Sequence, residues 1–497
     1  MGTFEDKDKQ PAAAKIPASA WKVLAVLSSI ATMVMYAETM LIPAIPDLIH
    51  QFKVSYSMSS WILTAYLIPG AVMTPIAGKL SDIYGKKKIL LIIMATYIAG
   101  ISIAGFSTNI YVLFGARATQ GIGMAMFVIA FGIIRDQFPR EKISIGQGVI
   151  SSMFASGAVI GLVAGGLIIN NYGWHATFLS TIPIAVALFV VIWRFNYDRR
   201  EPSELATQQT RPPAAIQKSI DVKGAVTLAT FVTSFLIALT LLETNTGQPA
   251  NQMVTFIIIG AAALGLFVVI ERREKVPLVD FKLMSNKVIL PSNLIIMVVG
   301  FSMFMVFQTV PVLVRNPVPL GFGGNAATAG YVQLPFAIVL LVFGPTSGFI
   351  VHKMGSIKPI IIGTSVTTVG FLFLLAFHGS WITVAAGLAV LSTGLSLTNV
   401  GALNVTILAT PMQFTGISLG MNTLLRILGA SIGPALAGVY MQMYQSNIEV
   451  AGKLVAYPST QAFSIIFLTA AILSVSSIAL ALFLKRRLSR MSIPNLA

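Results

Sequence analysis

Apolar residues form long runs along almost the whole chain, and short polar segments separate these runs. Most runs reach about 20 residues, the length that an α-helix needs to cross the ~30 Å hydrocarbon core of a bilayer. We therefore predict fourteen membrane-spanning helices. The predicted spans are 20–45, 57–78, 89–108, 111–134, 145–169, 176–196, 224–242, 252–270, 288–310, 328–350, 358–377, 381–408, 412–443 and 461–484.

The weakest division in this pattern lies between the twelfth and thirteenth spans. Within residues 409–415, Pro411 and Gln413 are the main signals for a turn. A count of twelve or thirteen spans is therefore the alternative to fourteen.

Basic residues concentrate on one face of the predicted bundle. With an even number of spans both termini share that face, and 28 of the 33 Lys and Arg residues lie on it. The opposite face has only Lys53, Arg315 and Lys453. Cytoplasmic segments of membrane proteins carry such an excess. We therefore predict a multi-pass protein of the plasma membrane with both termini in the cytoplasm.

Composition excludes several classes of function. Charged residues make up only 10% of the chain, against about 25% in soluble globular proteins. The net charge of +16 follows from the loop asymmetry, so we expect no nucleic-acid partner. Cysteine is absent and the four histidines are scattered, which predicts no metal centre. No Gly-x4-Gly-Lys-Ser/Thr loop occurs, so we expect no use of ATP. Nothing in the spans resembles a nucleophile–base pair or a metal site, so we expect no enzymatic activity and no cofactor.

Two pairs of segments repeat at nearly the same offset. Residues 75–88 and 345–358 share Pro, two Gly and Lys at identical spacing, 270 positions apart. The pattern Gly-x3-Gly at Gly157 recurs 272 positions later at Gly429. We infer that spans one to six are repeated as spans nine to fourteen. Parallel repeats of this kind are common in secondary transporters, with the substrate site between the halves. The alternative is that small residues recur in any packed helix bundle.

The duplication divides the chain into six regions. These are a cytoplasmic arm (1–19), an N-terminal six-helix half (20–196), a cytoplasmic linker (197–223), two inserted helices with a cytoplasmic loop (224–287), a C-terminal six-helix half (288–484) and a basic cytoplasmic tail (485–497).

Four motifs resemble those of the major facilitator superfamily. Its signature loop is similar to Gly78-Lys-Leu-Ser-Asp82-Ile-Tyr-Gly85-Lys86-Lys87-Lys88, and its fourth-helix motif is similar to Leu113-x3-Arg117-x2-Gln120-Gly121-x-Gly123. Its fifth-helix antiporter motif is similar to Gly148-x8-Gly157-x3-Gly161-Leu162-x2-Gly165-Gly166, although Leu162 stands where the family has proline. The first-helix motif of the fourteen-helix drug:proton antiporter subfamily resembles Glu38-Thr39-x3-Pro43-x2-Pro46. The resemblance implies an all-α fold of two pseudo-symmetric halves with two extra helices.

Charged residues inside the spans are the strongest functional candidates, because charge within a bilayer is costly. Glu38 is the only acid well inside a span, and Arg117 and Arg426 are the only basic residues there. At about 1.5 Å per residue, Glu38 and Arg117 both lie about 12 Å below the outer surface. An ion pair that breaks when Glu38 is protonated would couple protons to transport. The alternative is a static pair that only orients helices.

The remaining candidates fall into three groups. The signature loop predicts a gate at the cytoplasmic side, formed by Gly78, Asp82, Gly85 and Lys86. In this gate Asp82 is expected to hold the two halves together. The fifth-helix glycines are expected to pack helices closely, and they are Gly148, Gly157, Gly161, Gly165 and Gly166. A substrate cavity is predicted to include Tyr36, Trp61, Tyr66, Gln120, Phe304, Gln308, Tyr331, Asn399, Asn422 and Arg426.

The role of Arg426 stays open at this point. Its expected partners are Asn399, Asn404, Gln308 or backbone carbonyls, because the second half has no deep carboxylate. Arg426 could instead face the cavity and bind an anionic group of the substrate.

Together, the residues and the resemblance predict a proton-coupled transporter that exports amphipathic or cationic small molecules by alternating access. Its expected partners are protons, a small-molecule substrate and the lipid bilayer, and it is expected to act as a monomer. One alternative is transport of an anionic or lipid-like metabolite, by antiport or symport, with Arg426 as the counter-charge. A membrane protein that transports nothing is the third and least favoured interpretation.

Overall fold

The computed structural model describes residues 16–139, 143–194, 221–241, 250–274, 277, 279, 281–410, 415–450 and 453–491. The first part of the chain contains α1 (Ala18–Thr39), a 3₁₀ turn (Ile42–Ala44), α2 (Ile45–Phe52), α3 (Tyr56–Tyr84), α4 (Lys86–Gly105), α5 (Ile110–Gly121), a 3₁₀ turn (Ile122–Ala125), α6 (Met126–Gln137), α7 (Ile143–Tyr172) and α8 (His175–Arg194). The insert contains α9 (Val222–Leu241), α10 (Ala250–Arg273) and α11 (Phe281–Met284). The last part contains α12 (Ile289–Arg315), α13 (Ala326–Met354), α14 (Ile357–Ala376), α15 (Trp381–Ala409), α16 (Thr415–Met443), β1 (Gln445–Val450), β2 (Lys453–Pro458) and α17 (Thr460–Met491).

Eleven helical stretches in the described residues are long and apolar enough to cross a membrane. The stretch 18–52 is one of them and joins α1, a 3₁₀ turn and α2. Each predicted span falls on a helix, but α3, α7 and α9 are not among the eleven. The protein is thus a multi-pass helical membrane protein, and the full count of fourteen crossings stays a prediction.

Two predicted spans are interrupted. The first breaks after Thr39, where Pro43 and Pro46 each enter a new helical segment at its first positions. Proline is tolerated there because the first turn of a helix leaves its N–H groups unpaired. The fourth span changes to a 3₁₀ turn after Gly121, where a Cβ atom would overlap with the carbonyl of Tyr66 on α3. Both breaks lie close to the embedded charges.

The membrane-spanning part is helical, as predicted, and one short segment between the last two predicted spans forms strands. β1 and β2 pair as an antiparallel hairpin with Gln445 opposite Pro458 and Val450 opposite Lys453. Alternating β-branched residues such as Ile448 and Val455 favour strands. Each strand has only six residues, so a search for runs of membrane length does not detect it.

The repeated glycines form two equivalent helix seams. On α7, Cβ atoms at Gly157 and Gly161 would overlap with the backbone of α1 at Thr32 and Tyr36. On α16, Cβ atoms at the corresponding glycines, Gly429 and Gly433, would overlap with the backbone of α12 at Met297 and Phe301. In both seams the contacts are four residues apart on both helices, as the predicted duplication requires.

The signature-loop glycines also occupy equivalent positions. Gly85 separates α3 from α4 with φ +94°, and Gly355 follows α13 with φ +76°. Residues with a side chain rarely adopt positive φ. The repeated glycine therefore makes the same sharp turn in both parts of the chain.

α7 is continuous at Leu162, the position where the family has proline. This helix runs from Ile143 to Tyr172 across the buried Leu162. Pro434 occupies the corresponding position of α16, which is also helical throughout. The Leu162 carbonyl lies where α13 approaches α7, 2.8 Å from a Cβ placed on Gly330.

Candidate functional site

Glu38 lies in the last turn of α1, directly before the first helix break, and it is only 1% exposed. Neither of its carboxylate oxygens makes a hydrogen bond with any part of the chain that the structure describes. A buried carboxylate is normally paired or hydrogen-bonded. Glu38 is therefore a buried acid whose charge is balanced only at longer range.

Arg117 lies on α5, is fully buried and is held by several groups of the N-terminal part. Its Nε donates to the Ile62 carbonyl at 3.1 Å, and its Nη1 donates to the Ala37 carbonyl at 2.8 Å and to Gln120 Oε1 at 2.7 Å. Its guanidinium also lies over the Tyr66 ring, 4.4 Å from the centroid. These contacts fix α5 against α1 and α3.

The predicted Glu38–Arg117 ion pair is corrected by this geometry. The two residues are level, as expected, but the guanidinium bonds the carbonyl of Ala37, next to Glu38, and not the carboxylate. Arg117 still attracts Glu38 at longer range. Arg117 reaches the face of α1 that carries the Ala37 carbonyl. The Glu38 side chain points elsewhere, because successive residues on a helix are rotated by about 100°.

Arg426 supplies the partner that sequence reasoning missed. Glu38 is attracted by Arg426 more strongly than by Arg117, although Arg426 lies on α16 of the C-terminal part. Two of its expected partners are engaged elsewhere: Asn404 Nδ2 donates to Ser356 Oγ at 2.7 Å, and Gln308 Nε2 donates to Ser59 Oγ at 2.8 Å. No local signal in the sequence joins Glu38 to a charge so far along the chain.

Contacts with α12 hold the backbone of α16 around Arg426. One turn earlier, Asn422 Nδ2 donates to Asn293 Oδ1 at 2.9 Å. The backbone carbonyl of Arg426 packs so closely on Gly300 that a Cβ atom there would overlap with it. These contacts fix the backbone of α16 at Arg426 against α12.

The other predicted cavity residues divide by exposure. Tyr66, Gln120, Phe304, Gln308 and Asn422 are buried, whereas Tyr36, Trp61 and Asn399 are half-buried. Tyr331 is 52% exposed. Tyr66 and Gln120 both contact Arg117, so the structure brings these two to the charged site.

Gln333 on α13 is a buried polar residue that sequence reasoning missed. It is 1% exposed, and its Oε1 makes no hydrogen bond within the described residues. Gln308 Oε1 and Ser302 Oγ share this property on α12. A glutamine inside an apolar span was the available signal, because burying an unbonded amide is costly.

A small apolar cavity lies beside the inserted helix α9. The cavity between α3, α9 and α16 has a volume of about 10 Å³ and is lined by apolar side chains such as Ile68, Leu228 and Ile427. None of the predicted cavity residues lines it.

The loop predicted as a cytoplasmic gate is described only in part. Lys86 Nζ donates to Asp136 Oδ2 at 2.5 Å and to the Gly132 carbonyl at 2.9 Å, both on α6 of the same half. Gly78 packs near Val128, with 3.1 Å to a Cβ placed on it. The Asp82 side chain and the surroundings of Gly148 lie outside the described residues. The latch role of Asp82 stays a prediction.

Polar contacts join the two halves at the ends predicted to be extracellular. Arg315, the last residue of α12, forms an ion pair with Asp47 of α2 and donates to the Pro43 carbonyl at 3.4 Å. The Tyr56 N–H donates to Gln442 Oε1 at 3.2 Å. This end of the bundle, which we call the outer end, is closed.

Comparison with known proteins agrees with this architecture. The family model described as Major Facilitator Superfamily matches residues 27–315. The multidrug efflux pump LfrA of Mycolicibacterium smegmatis is 26% identical over 455 residues, 89% of this chain and 85% of LfrA. An uncharacterized MFS-type transporter of Mycobacterium tuberculosis is 26% identical over 408 residues, and the match covers 81% of this chain but only 56% of that protein.

A solved structure has the same fold. The human organic anion transporter MFSD10 superposes with a TM-score of 0.61 at 14% identity, covering 94% of this chain and all of that one. The family model covers more than half of the residues and thereby establishes that the chain belongs to the major facilitator superfamily.

Proposed function

We propose that this protein is a proton-coupled secondary transporter that exports amphipathic small molecules in exchange for protons. It works by alternating access as a monomer in the plasma membrane, with both termini in the cytoplasm. Glu38 carries the proton. The observation that supports this role is a fully buried carboxylate without a hydrogen bond among the described residues, attracted by arginines from both halves of the chain.

The charge set suggests how protonation drives movement. While Glu38 is ionised, its attraction to Arg426 holds the N-terminal and C-terminal halves together. A proton on Glu38 removes that attraction, whereas Arg117 stays in place through its carbonyl partners. The balance between two arrangements of the halves then depends on the proton, which is what coupling by population shift requires.

Multidrug efflux relatives support small amphipathic substrates, and the motif resemblance adds cationic compounds. A cation would compete with the proton for Glu38, so the two would move in opposite directions. This competition is the physical basis for exchange, since ligands that exclude each other at one site are carried alternately.

Transport of an anion together with a proton is the second candidate. The spans contain one embedded acid and two embedded arginines, so an ionised Glu38 leaves a net positive core. An anion would be attracted to Arg426, and its presence would favour protonation of Glu38. The proton and the anion would then move in the same direction.

The test is proton flux in proteoliposomes that contain purified protein and an internal pH-sensitive dye. A monocationic dye and a monoanionic dye are added separately under an imposed pH gradient. Wild type is expected to move protons against the cation, and Glu38→Gln is expected to lose most of that coupled flux, because a glutamine side chain cannot take up and release the proton. Glu449→Gln, on the exposed side of the hairpin, is the matched control and should behave as wild type.

The outcomes separate the candidates. Protons that move with the anion, and not against the cation, would select the second candidate. Coupled flux that is unchanged in Glu38→Gln would contradict the proposed role of Glu38.

A further inference from the structure

The outer end contains a charged contact that the transport site does not use. Arg315 and Asp47 form an ion pair between α12 and α2, and their side chains are 19% and 34% exposed. A second ion pair, Lys86–Asp136, lies within one half. Arg315–Asp47, in contrast, joins the two halves.

Local structure presents both partners at helix ends. Asp47 lies in the first turn of α2, and Arg315 is the last residue of α12. An acid at a helix N-terminus and a base at a C-terminus are each favoured by the helix dipole. Arg315 is also one of only three basic residues on the predicted outer face, so the positive-inside pattern does not explain it.

A tight turn after α12 holds Arg315 in place. The N–H of Phe322 donates to the Leu313 carbonyl at 3.3 Å, and the N–H of Gly324 donates to the Val314 carbonyl at 2.9 Å. On the other side of Arg315, Asn316 Nδ2 donates to the Pro458 carbonyl at 3.0 Å. The guanidinium is therefore presented from a fixed backbone and not from a loose loop.

The contact also touches the segment that follows Glu38. Arg315 binds both the Pro43 carbonyl and the Asp47 carboxylate. Pro43 lies in the 3₁₀ turn of the break that begins directly after Thr39, and Asp47 lies in the first turn of α2 beyond it. A change in the position of Glu38 would be transmitted through this short segment to the ion pair.

Neutral contacts also cross the boundary between the two halves. Gln308 donates to Ser59, and Thr64 Oγ1 donates to the Ser431 carbonyl at 3.4 Å. Neutral hydrogen bonds can be exchanged for bonds to water at little net cost. A half-buried ion pair depends more strongly on its partner, because opposite charges attract at longer range.

We propose that the Asp47–Arg315 ion pair is a latch that keeps the outer end closed, and that it opens when substrate is released outside. The proposal rests on alternating access in the proposed function. It concerns the closure of the outer end only, so it can be tested without measuring transport.

The natural absence of cysteine makes the test direct. Ser59 is fully buried at the boundary between the halves, and Ser59→Cys introduces a single thiol there. Intact cells are treated with a membrane-impermeant maleimide, and the rate of labelling at position 59 is measured. Asp47→Asn should raise that rate by about two- to fivefold, the effect expected from losing a partly exposed ion pair, and Asp47→Arg should raise it further.

Charge reversal distinguishes a latch from misfolding. The double variant Asp47→Arg with Arg315→Asp restores an ion pair of opposite orientation and should return labelling towards the original rate. Lys53→Asn changes an exposed charge at the end of the same α2 and should have no effect. A thiol introduced instead by Asn447→Cys, at an exposed position, should label equally in all variants, which reports equal amounts of protein at the surface.

Two results would overturn the latch. Labelling at position 59 could be unchanged in both Asp47 variants, or the double variant could label as fast as Asp47→Arg. Because labelling requires neither a substrate nor a proton gradient, a failed role for Glu38 would leave this result intact, and the reverse also holds.

Discussion

The α1–α7 seam and the α12–α16 seam have the same packing but different chemistry. Gly161 packs on α1 near Tyr36, and Gly433 packs on α12 near Phe301. With these contacts aligned, the position equivalent to Glu38 on α12 is Met303. The helix framework is thus repeated, whereas the embedded acid occurs once. The same close helix packing serves both halves, so the glycines are repeated. A single buried acid that two arginines attract is sufficient for one protonation switch, so Glu38 has no counterpart in the second half.

The largest expected effect is the loss of the arginine within the N-terminal half. Arg117→Met removes three hydrogen bonds and leaves Glu38 with only one of its two attracting arginines. Removing one member of a buried charge set costs about 3–5 kcal/mol. We expect a large fall in thermal stability, measured in detergent. Arg426→Met should cost less, because Arg117 and its hydrogen bonds between α1, α3 and α5 remain. Equal losses in the two variants would refute this difference between the halves.

The two seams should respond alike to the same substitution. Gly161→Ala and Gly433→Ala each place a methyl group where backbone atoms of the facing helix lie. Overpacking of this kind costs about 1–3 kcal/mol, so both variants should melt at lower temperature by similar amounts. Gly420→Ala on α16 is the control, because a Cβ there meets nothing within 4 Å. If only one seam is sensitive, the two seams are not equivalent in energy.

The smallest expected effect concerns the ion pair within one half. Lys86 and Asp136 have side chains that are 18% and 33% exposed, and a pair of this kind contributes about 0.2–1 kcal/mol. Asp136→Asn should therefore lower stability slightly. Combined with Ser59→Cys, it should leave maleimide labelling at position 59 of the outer end unchanged. Lys87→Met, next to Lys86 in the sequence, is the control for loss of a loop charge. Faster labelling at position 59 in the Asp136→Asn variant would show that the Lys86 contact acts across the halves.

Much of the fold follows from local features of the sequence. Predicted spans agree with helices because apolar runs of membrane length have few other stable conformations in a bilayer. Helix ends are less well predicted. The second predicted span is 57–78, but α3 continues to Tyr84. Backbone hydrogen bonding extends a helix beyond the lipid core, where polar side chains such as Ser81 are no longer disfavoured.

The candidate site was predictable in its members but not in its contacts. Rare charges inside apolar spans identified Glu38, Arg117 and Arg426. Depth alone suggested that Glu38 pairs with Arg117, and it could not specify which direction each side chain faces around its helix. The structure assigns a backbone carbonyl to Arg117 and places Arg426 as the stronger attraction for Glu38.

The sequence by itself determined the class of the protein, its apolar spans, its repeated glycines and its few embedded charges, because each depends on composition or spacing along a short stretch. Only the tertiary structure decided that Arg315 reaches Asp47, that Arg426 attracts Glu38 and that a hairpin precedes α17. These features join residues that are distant in sequence or depend on the rotation of one helix against another. Long-range packing sets that rotation, and no local pattern encodes it.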